Sequence, residues 1–153
     1  MRTIDKLLIQ YGESHQNKTN VVIHAIAVPS IYLVTLGLIW CLPVPSFLSQ
    51  FDVTWAHVLA IPVLYYYFLL SGPVGAAMTL LTIACFGVIN LLVNAGITVW
   101  VFCLALFVVM WVFQFIGHKI EGKKPSFFDD LRFLLIGPVW WWAHWLKRMK
   151  ISY

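Results

Sequence analysis

The sequence predicts an all-α membrane protein: a polytopic helix bundle of about four transmembrane helices, with an N-terminal amphipathic helix and a C-terminal interfacial or re-entrant helix. Three observations carry this. Of 153 residues, 61% are hydrophobic and only 10% charged, where soluble domains run nearer 45–50% apolar and about 25% charged. The apolar residues come in whole runs rather than in the alternation over roughly ten-residue segments that a membrane barrel shows, so helices are expected. Lys and Arg flank the runs and are absent between them, which is an orientation signal for insertion. A chain of this length is read as a single integral membrane domain, residues 1–153.

The elements follow in order. Residues 3–12 place Ile4, Leu7, Leu8 and Tyr11 at i, i+3, i+4 and i+7, the spacing of a short amphipathic helix at the interface or packed under the bundle. The first span is expected from Val21 to Leu42, with Pro29 tolerated as a kink, and Pro43-Val44-Pro45-Ser46 ends it. The second is Trp55–Leu70, the shortest. Ser71-Gly72-Pro73 turns into the third, Val74–Val93, and Asn94-Ala95-Gly96 into the fourth, Ile97–Gly117. Asn90 and Asn94 read as polar glue between helices.

Arg2, Lys6 and Lys18 precede the first span, and Lys119, Lys123, Lys124 and Arg132 follow the fourth. The positive-inside rule then puts both termini in the cytoplasm. The apolar stretch Leu131–Trp145 is too short to span and is interrupted by Gly137-Pro138. It reads as an interfacial or re-entrant helix, opened by a capping box at Ser126 and Asp129, with Trp140, Trp141, Trp142 and Trp145 at headgroup level. Cys41, Cys85 and Cys103 stand singly in apolar surroundings and read as free thiols. No cleavable signal peptide is expected, because the first twenty residues are polar. The basic residues form no interleaved soluble patch, so nucleic acid is not an expected partner; the lipid bilayer is. Short loops favour a bacterial inner membrane as host.

Ionisable groups against a bilayer are costly and mark candidate sites. Under this topology His15, His24, His118 and Glu121 all fall on the cytoplasmic side. His118 and Glu121 are i and i+3, sharing a helix face if the fourth helix continues past Gly117. Imidazole and carboxylate together suit Fe(II), Zn or Mn. His15, His24 and His118 are the candidate metal ligands. Glu121 joins them in the candidate catalytic set, either as a fourth ligand or orienting a histidine. Gln114, one turn before His118, and Asn20 are the supporting side chains around the ligands. Asn17, Thr19 and Asn20 are also natural caps for the first span. His144 is a further candidate if the tail folds back; His57 belongs to the opposite face. A lone interfacial histidine is more often simply hydrogen-bonded, and Glu121 amid lysines could be a surface ion pair of little value.

The segments His15…Asn20…His24 and Gln114-x-x-Gly117-His118-x-x-Glu121…Pro125, with several spans between them, resemble the membrane 2-hydroxy fatty acid dioxygenases. That resemblance implies Fe(II)-dependent α-oxidation, by O2, of a long-chain 2-hydroxy fatty acid to the acid one carbon shorter. It also implies essential histidines, carried over to His15, His24 and His118. Because the family includes a yeast enzyme of the endoplasmic reticulum, that membrane is the alternative host. The tail departs most from the family's pattern, in which a carboxylate often stands near the place of His144. Two rival classes remain: a small transporter with His24, His118 and Glu121 as a proton relay, which would want polar residues through the bilayer depth, and a non-catalytic membrane scaffold. Oligomeric state and chain-length preference are not legible in the sequence.

Overall fold

The computed structural model describes residues 2–128 and 132–152, and within them every regular element is helical. In order these are α1 (Thr3–Glu13), α2 (Lys18–Trp40), a four-residue α3 (Ser46–Ser49), α4 (Trp55–Leu70), α5 (Gly72–Asn94), α6 (Val99–Glu121), a 3-10 turn (Ser126–Phe128) and α7 (Phe133–Arg148). Asn17 caps α2 with its side-chain oxygen, which accepts from the Thr19 amide at 2.9 Å, so this helix starts a turn before the apolar run does. At its other end α6 continues one turn past Gly117 and stops at Gly122, whose φ of 73° is the left-handed cap that glycine adopts without strain.

α2, α5 and α6 are long and apolar enough to cross a membrane. The expected second span, and with it the count of four, is corrected: α4 has 16 residues, about 24 Å of helix, against a hydrocarbon core of about 30 Å. It nevertheless carries the chain back along the bundle. Trp55 Nε1 donates to the Pro43 carbonyl at 3.0 Å, and the Trp40 and His57 rings lie 4.9 Å apart, which fixes the start of α4 beside the end of α2. At the far end of α4, the Tyr67 hydroxyl donates to the Leu135 carbonyl at 2.9 Å. The start of α2, the ends of α4 and α6, and helices α1 and α7 therefore share one end of the molecule.

α2 and α6 form the tightest pair. Between lipid-exposed helices, small residues permit the close approach on which packing depends. Here Gly37 meets Cys103 at one end of the seam, and Gly117 meets Asn20 at the other. Much of the outer face of α6 is exposed and apolar, including Phe102, Val108, Val112 and Phe115, as expected of a surface solvated by lipid.

α1 occupies almost the span expected, with Ile4, Leu7 and Tyr11 buried. Its partner is α7, through Phe133, Ile136, Val139, Ala143 and Leu146. The expected interruption at Gly137-Pro138 does not occur; both residues are buried inside a continuous helix. The capping box proposed for its start involves Asp129, and the expected run began at Leu131, both of which lie outside the described residues. Of the tryptophans read as headgroup anchors, Trp145 is exposed, and Trp140, Trp141 and Trp142 are half-buried. Asn90 and Asn94 are exposed and bridge no helices. The three cysteines are free, Cys41 exposed and the other two buried.

Candidate metal centre

Three helix ends deliver the histidines. His15 follows α1 directly, His24 lies in the second turn of α2, and His118 sits in the last turn of α6. All three are buried, with 5%, 1% and 5% of their surface exposed. Their rings form a compact set: centroids are 4.4 Å apart for His15 and His24, 4.7 Å for His24 and His118, and 5.2 Å for His15 and His118. One ring nitrogen from each lies within 4.8 Å of the others.

The backbone decides which nitrogen faces inward. His15 Nδ1 is 2.6 Å from the Tyr11 carbonyl and His24 Nδ1 is 3.0 Å from the Asn20 carbonyl. A carbonyl only accepts, so each Nδ1 carries the proton and each Nε2 keeps its lone pair. This is the usual way in which a ligand histidine is oriented. The Tyr11 ring stacks on His15 at 4.1 Å, with an interplanar angle of 11°. Burial pushes His15 below its ordinary imidazole value, which favours the neutral, ligand-competent ring.

Three buried polar atoms around this centre have no partner among the described residues: His15 Nε2, His118 Nδ1 and Asn20 Oδ1. His24 Nε2 and His118 Nε2 stand 3.1 Å apart. Two nitrogens bound to one ion at about 2.1 Å would be separated by roughly 3.0–3.4 Å, depending on whether the angle is octahedral or tetrahedral. An unpaired buried nitrogen beside a pair at that spacing is what a set of imidazole ligands presents, so the residues fit a borderline transition metal. The choice among Fe(II), Zn and Mn is not fixed by nitrogen donors alone.

Glu121, expected either as a fourth ligand or as a group orienting a histidine, turns its carboxylate to the start of α2. Its carboxylate accepts from the Gln16 amide (2.9 Å), the Asn17 amide (2.8 Å) and Asn20 Nδ2 (3.1 Å). It therefore ties the end of α6 to the start of α2, where a negative charge is favoured by the exposed amides and the helix dipole. Asn20 also donates to the Ser14 carbonyl at 3.1 Å, and its own carbonyl holds His24. Asn20 thus meets His24 through its backbone carbonyl, while its side chain joins Ser14 to Glu121. Gln114 does not hold His118, whose Nδ1 is unpaired; it lines the cavity beside the ring. His144 is exposed and borders a separate hollow with Arg2, Asp5 and Lys147, so the tail's return does not bring it to the triad. His57 caps α4 at the opposite end, its Nδ1 accepting from the Thr54 amide at 3.1 Å.

Two features have no signal in the sequence. The hydroxyls of Ser14 and Ser126 pair beside His15, joining residues 112 positions apart. From the triad a cavity of about 430 Å³ extends along α2, past Val28, Ile31 and Tyr32 to Leu36 and Ile39. Leu59, Ala60 and Val63 of α4 wall one side, with Phe107 and Trp111 of α6 on the other. The lining is almost wholly apolar beyond the histidines.

A family model described as "Mpo1-like: 2-hydroxy-palmitic acid dioxygenase Mpo1-like" matches residues 1–149. The chain belongs to this family. The match runs from α1 to the end of α7 and includes all three histidines, so the family covers the whole of the candidate centre. No curated protein and no solved structure matches the chain.

Proposed function

We propose that this protein is an Fe(II)-dependent dioxygenase that converts long-chain 2-hydroxy fatty acids to the acid one carbon shorter. The carrying observation is a buried set of three histidines opening directly onto an apolar cavity. In the overall change the carboxyl carbon leaves as CO2. Of the two oxygen atoms of O2 and the three of the substrate, two remain in the new carboxylate, two in CO2 and one in water. The substrate supplies all four electrons, so no second oxidisable acid is needed.

On this reading His15, His24 and His118 would hold the iron, and the Tyr11 and Asn20 carbonyls keep the His15 and His24 rings in the tautomer that leaves Nε2 free to bind it. Iron supplies a site where a 2-hydroxy acid and O2 can meet. The cavity takes the apolar tail, and its walls keep water from the reacting head. Lys123 is committed elsewhere, its Nζ donating to the Glu13 carbonyl at 2.7 Å. Lys124 borders an outer hollow that shares Ser126 and Phe133 with the main cavity, which makes it the better candidate to attract the substrate carboxylate. Glu121 acts through position, clamping α2 to α6. A proton relay is less well supported, since the path leading from the triad into the bundle is lined by aliphatic and aromatic groups.

The test is metal analysis of purified protein coupled to oxygen uptake with 2-hydroxypalmitate and with palmitate. Iron bound through the histidines and uptake only with the hydroxy acid is the expected result. Equal uptake with both acids, or none with either in iron-loaded protein, would sink the reading.

A further inference from the structure

The cavity has two ends of different character. One is the triad. The other, about 22 Å away counting the helical rise from His24 to Ile39, is bounded by Leu36 and Ile39 of α2 and Leu59 of α4. Between them the Tyr32 hydroxyl is taken up by Thr82 Oγ1 at 2.7 Å, so apart from Thr35 and the indole N–H of Trp111 the middle of the cavity offers little to a polar ligand. α4 and α6 each pack on α2 but hardly on each other, and the cavity is the seam left between them. A slot of this form suits an unbranched apolar chain with a polar head at one end only.

We propose that Leu36, Ile39 and Leu59 close the far end of an acyl groove and set the length of chain the protein accepts. The proposal rests on the reading of the triad as the place where the polar head is held. With the head fixed there, the ω-end of the chain meets these three side chains. A chain in lipid or detergent is already out of water and lipid tails are as apolar as leucine, so withdrawal from water does not set the preference. Fit does. A chain too long for the groove must bend out between α4 and α6 or pull its head off the histidines, and a chain too short leaves the far end unfilled.

Three variants probe this. Ile39→Trp and Leu59→Trp fill the far end from opposite walls, and Ile39→Ala empties it. Leu59 is 46% exposed, so the change there strains the fold least. The full chain, loaded with iron and kept free of O2 in detergent, is titrated with 2-hydroxy fatty acids of graded length against a fluorescent fatty acid. The same series is then run as oxygen uptake with the iron-loaded protein. The two tryptophan variants should shorten the best-bound chain by roughly two to four carbons, the extra volume of an indole being that of several methylenes. Ile39→Ala should lengthen it. A wild-type protein indifferent to chain length, or an optimum that none of the three variants moves, would overturn the proposal. If the optimum moves in binding while no oxygen is consumed, the groove stands and the dioxygenase reading falls. Oxygen uptake with an unmoved optimum would have the opposite meaning.

Discussion

His118 and Glu121 are one turn apart on α6 and carry different expectations. Replacing His118 by Ala removes one of three imidazoles, and iron occupancy measured after dialysis should fall to background. Replacing Glu121 by Ala removes three accepted hydrogen bonds at the start of α2. That should cost about 1–2 kcal/mol in thermal unfolding, the range of a lost helix cap, while iron occupancy survives. Loss of iron in both variants to the same degree would make Glu121 a ligand after all. Gly117 gives a third case. A Cβ there would run into Asn20 Oδ1 and sit 3.4 Å from His24 Cε1, so Gly117→Ala should destabilise by about 1–3 kcal/mol through overpacking. The histidines were legible from residue type and from where they stand relative to the apolar runs. Glu121's task was not, because its partners at Gln16 and Asn17 are more than a hundred positions away and meet it only when α2 and α6 pair.

At the scale of elements, the apolar runs and the Pro, Gly and Asn punctuation between them located the four long helices to within a few residues. Two errors had physical causes. α4 was counted as a span on hydropathy, although its length stops short. α7 was expected to break at Gly137-Pro138, but tertiary contacts on α1 outweigh the local propensity, and both residues are buried within the helix. The α1–α7 seam makes its own prediction. Ile4 is fully buried there, so Ile4→Ala should cost about 2–4 kcal/mol. Because the Tyr11 carbonyl at the end of α1 holds His15, the same variant should weaken iron binding without altering His24 or His118. Hydrogen exchange should show the loosening in α1, α7 and the adjoining ends of α4 and α5, whose Tyr67, Val74 and Met78 share the Ile4 cluster. Exchange that rises uniformly across α2 and α6 as well would show that the seam is not a separate unit.

For the molecule as a whole, the contact between the start of α2 and the end of α6 places both flanking basic segments at one end, with exposed Cys41 at the other. Since those segments carry the Lys and Arg, the positive-inside rule predicts that both termini lie on one side of the membrane. Cysteines introduced at Lys6 and Ser152 in a background lacking Cys41 should react with an impermeant reagent from the same side of sealed vesicles. The native Cys41 should react from the other. Labelling of residues 6 and 152 from opposite sides would show that the tail crosses the bilayer. This arrangement was half legible: the charge asymmetry is in the sequence, but the pairing of helix ends that makes it one face of one object is not.

The shortness of α4 has a consequence for the lipid itself. A helix about 24 Å long beside neighbours of about 34 Å forces a hydrophobic mismatch on one flank only. The surrounding leaflet must thin there, or the headgroups sink toward the helix ends, at a cost of fractions of a kcal/mol per Å. That flank walls the cavity through Leu59, Ala60 and Val63. A local dimple would bring the carboxylate of a membrane-dissolved fatty acid down toward the histidines while its tail is already beside that wall. The protein should then prefer thin bilayers. Reconstituted in vesicles of shorter-chain phospholipid it should turn over substrate faster than in thicker ones at equal substrate content, and activity that is flat across bilayer thickness would show that the dimple plays no part.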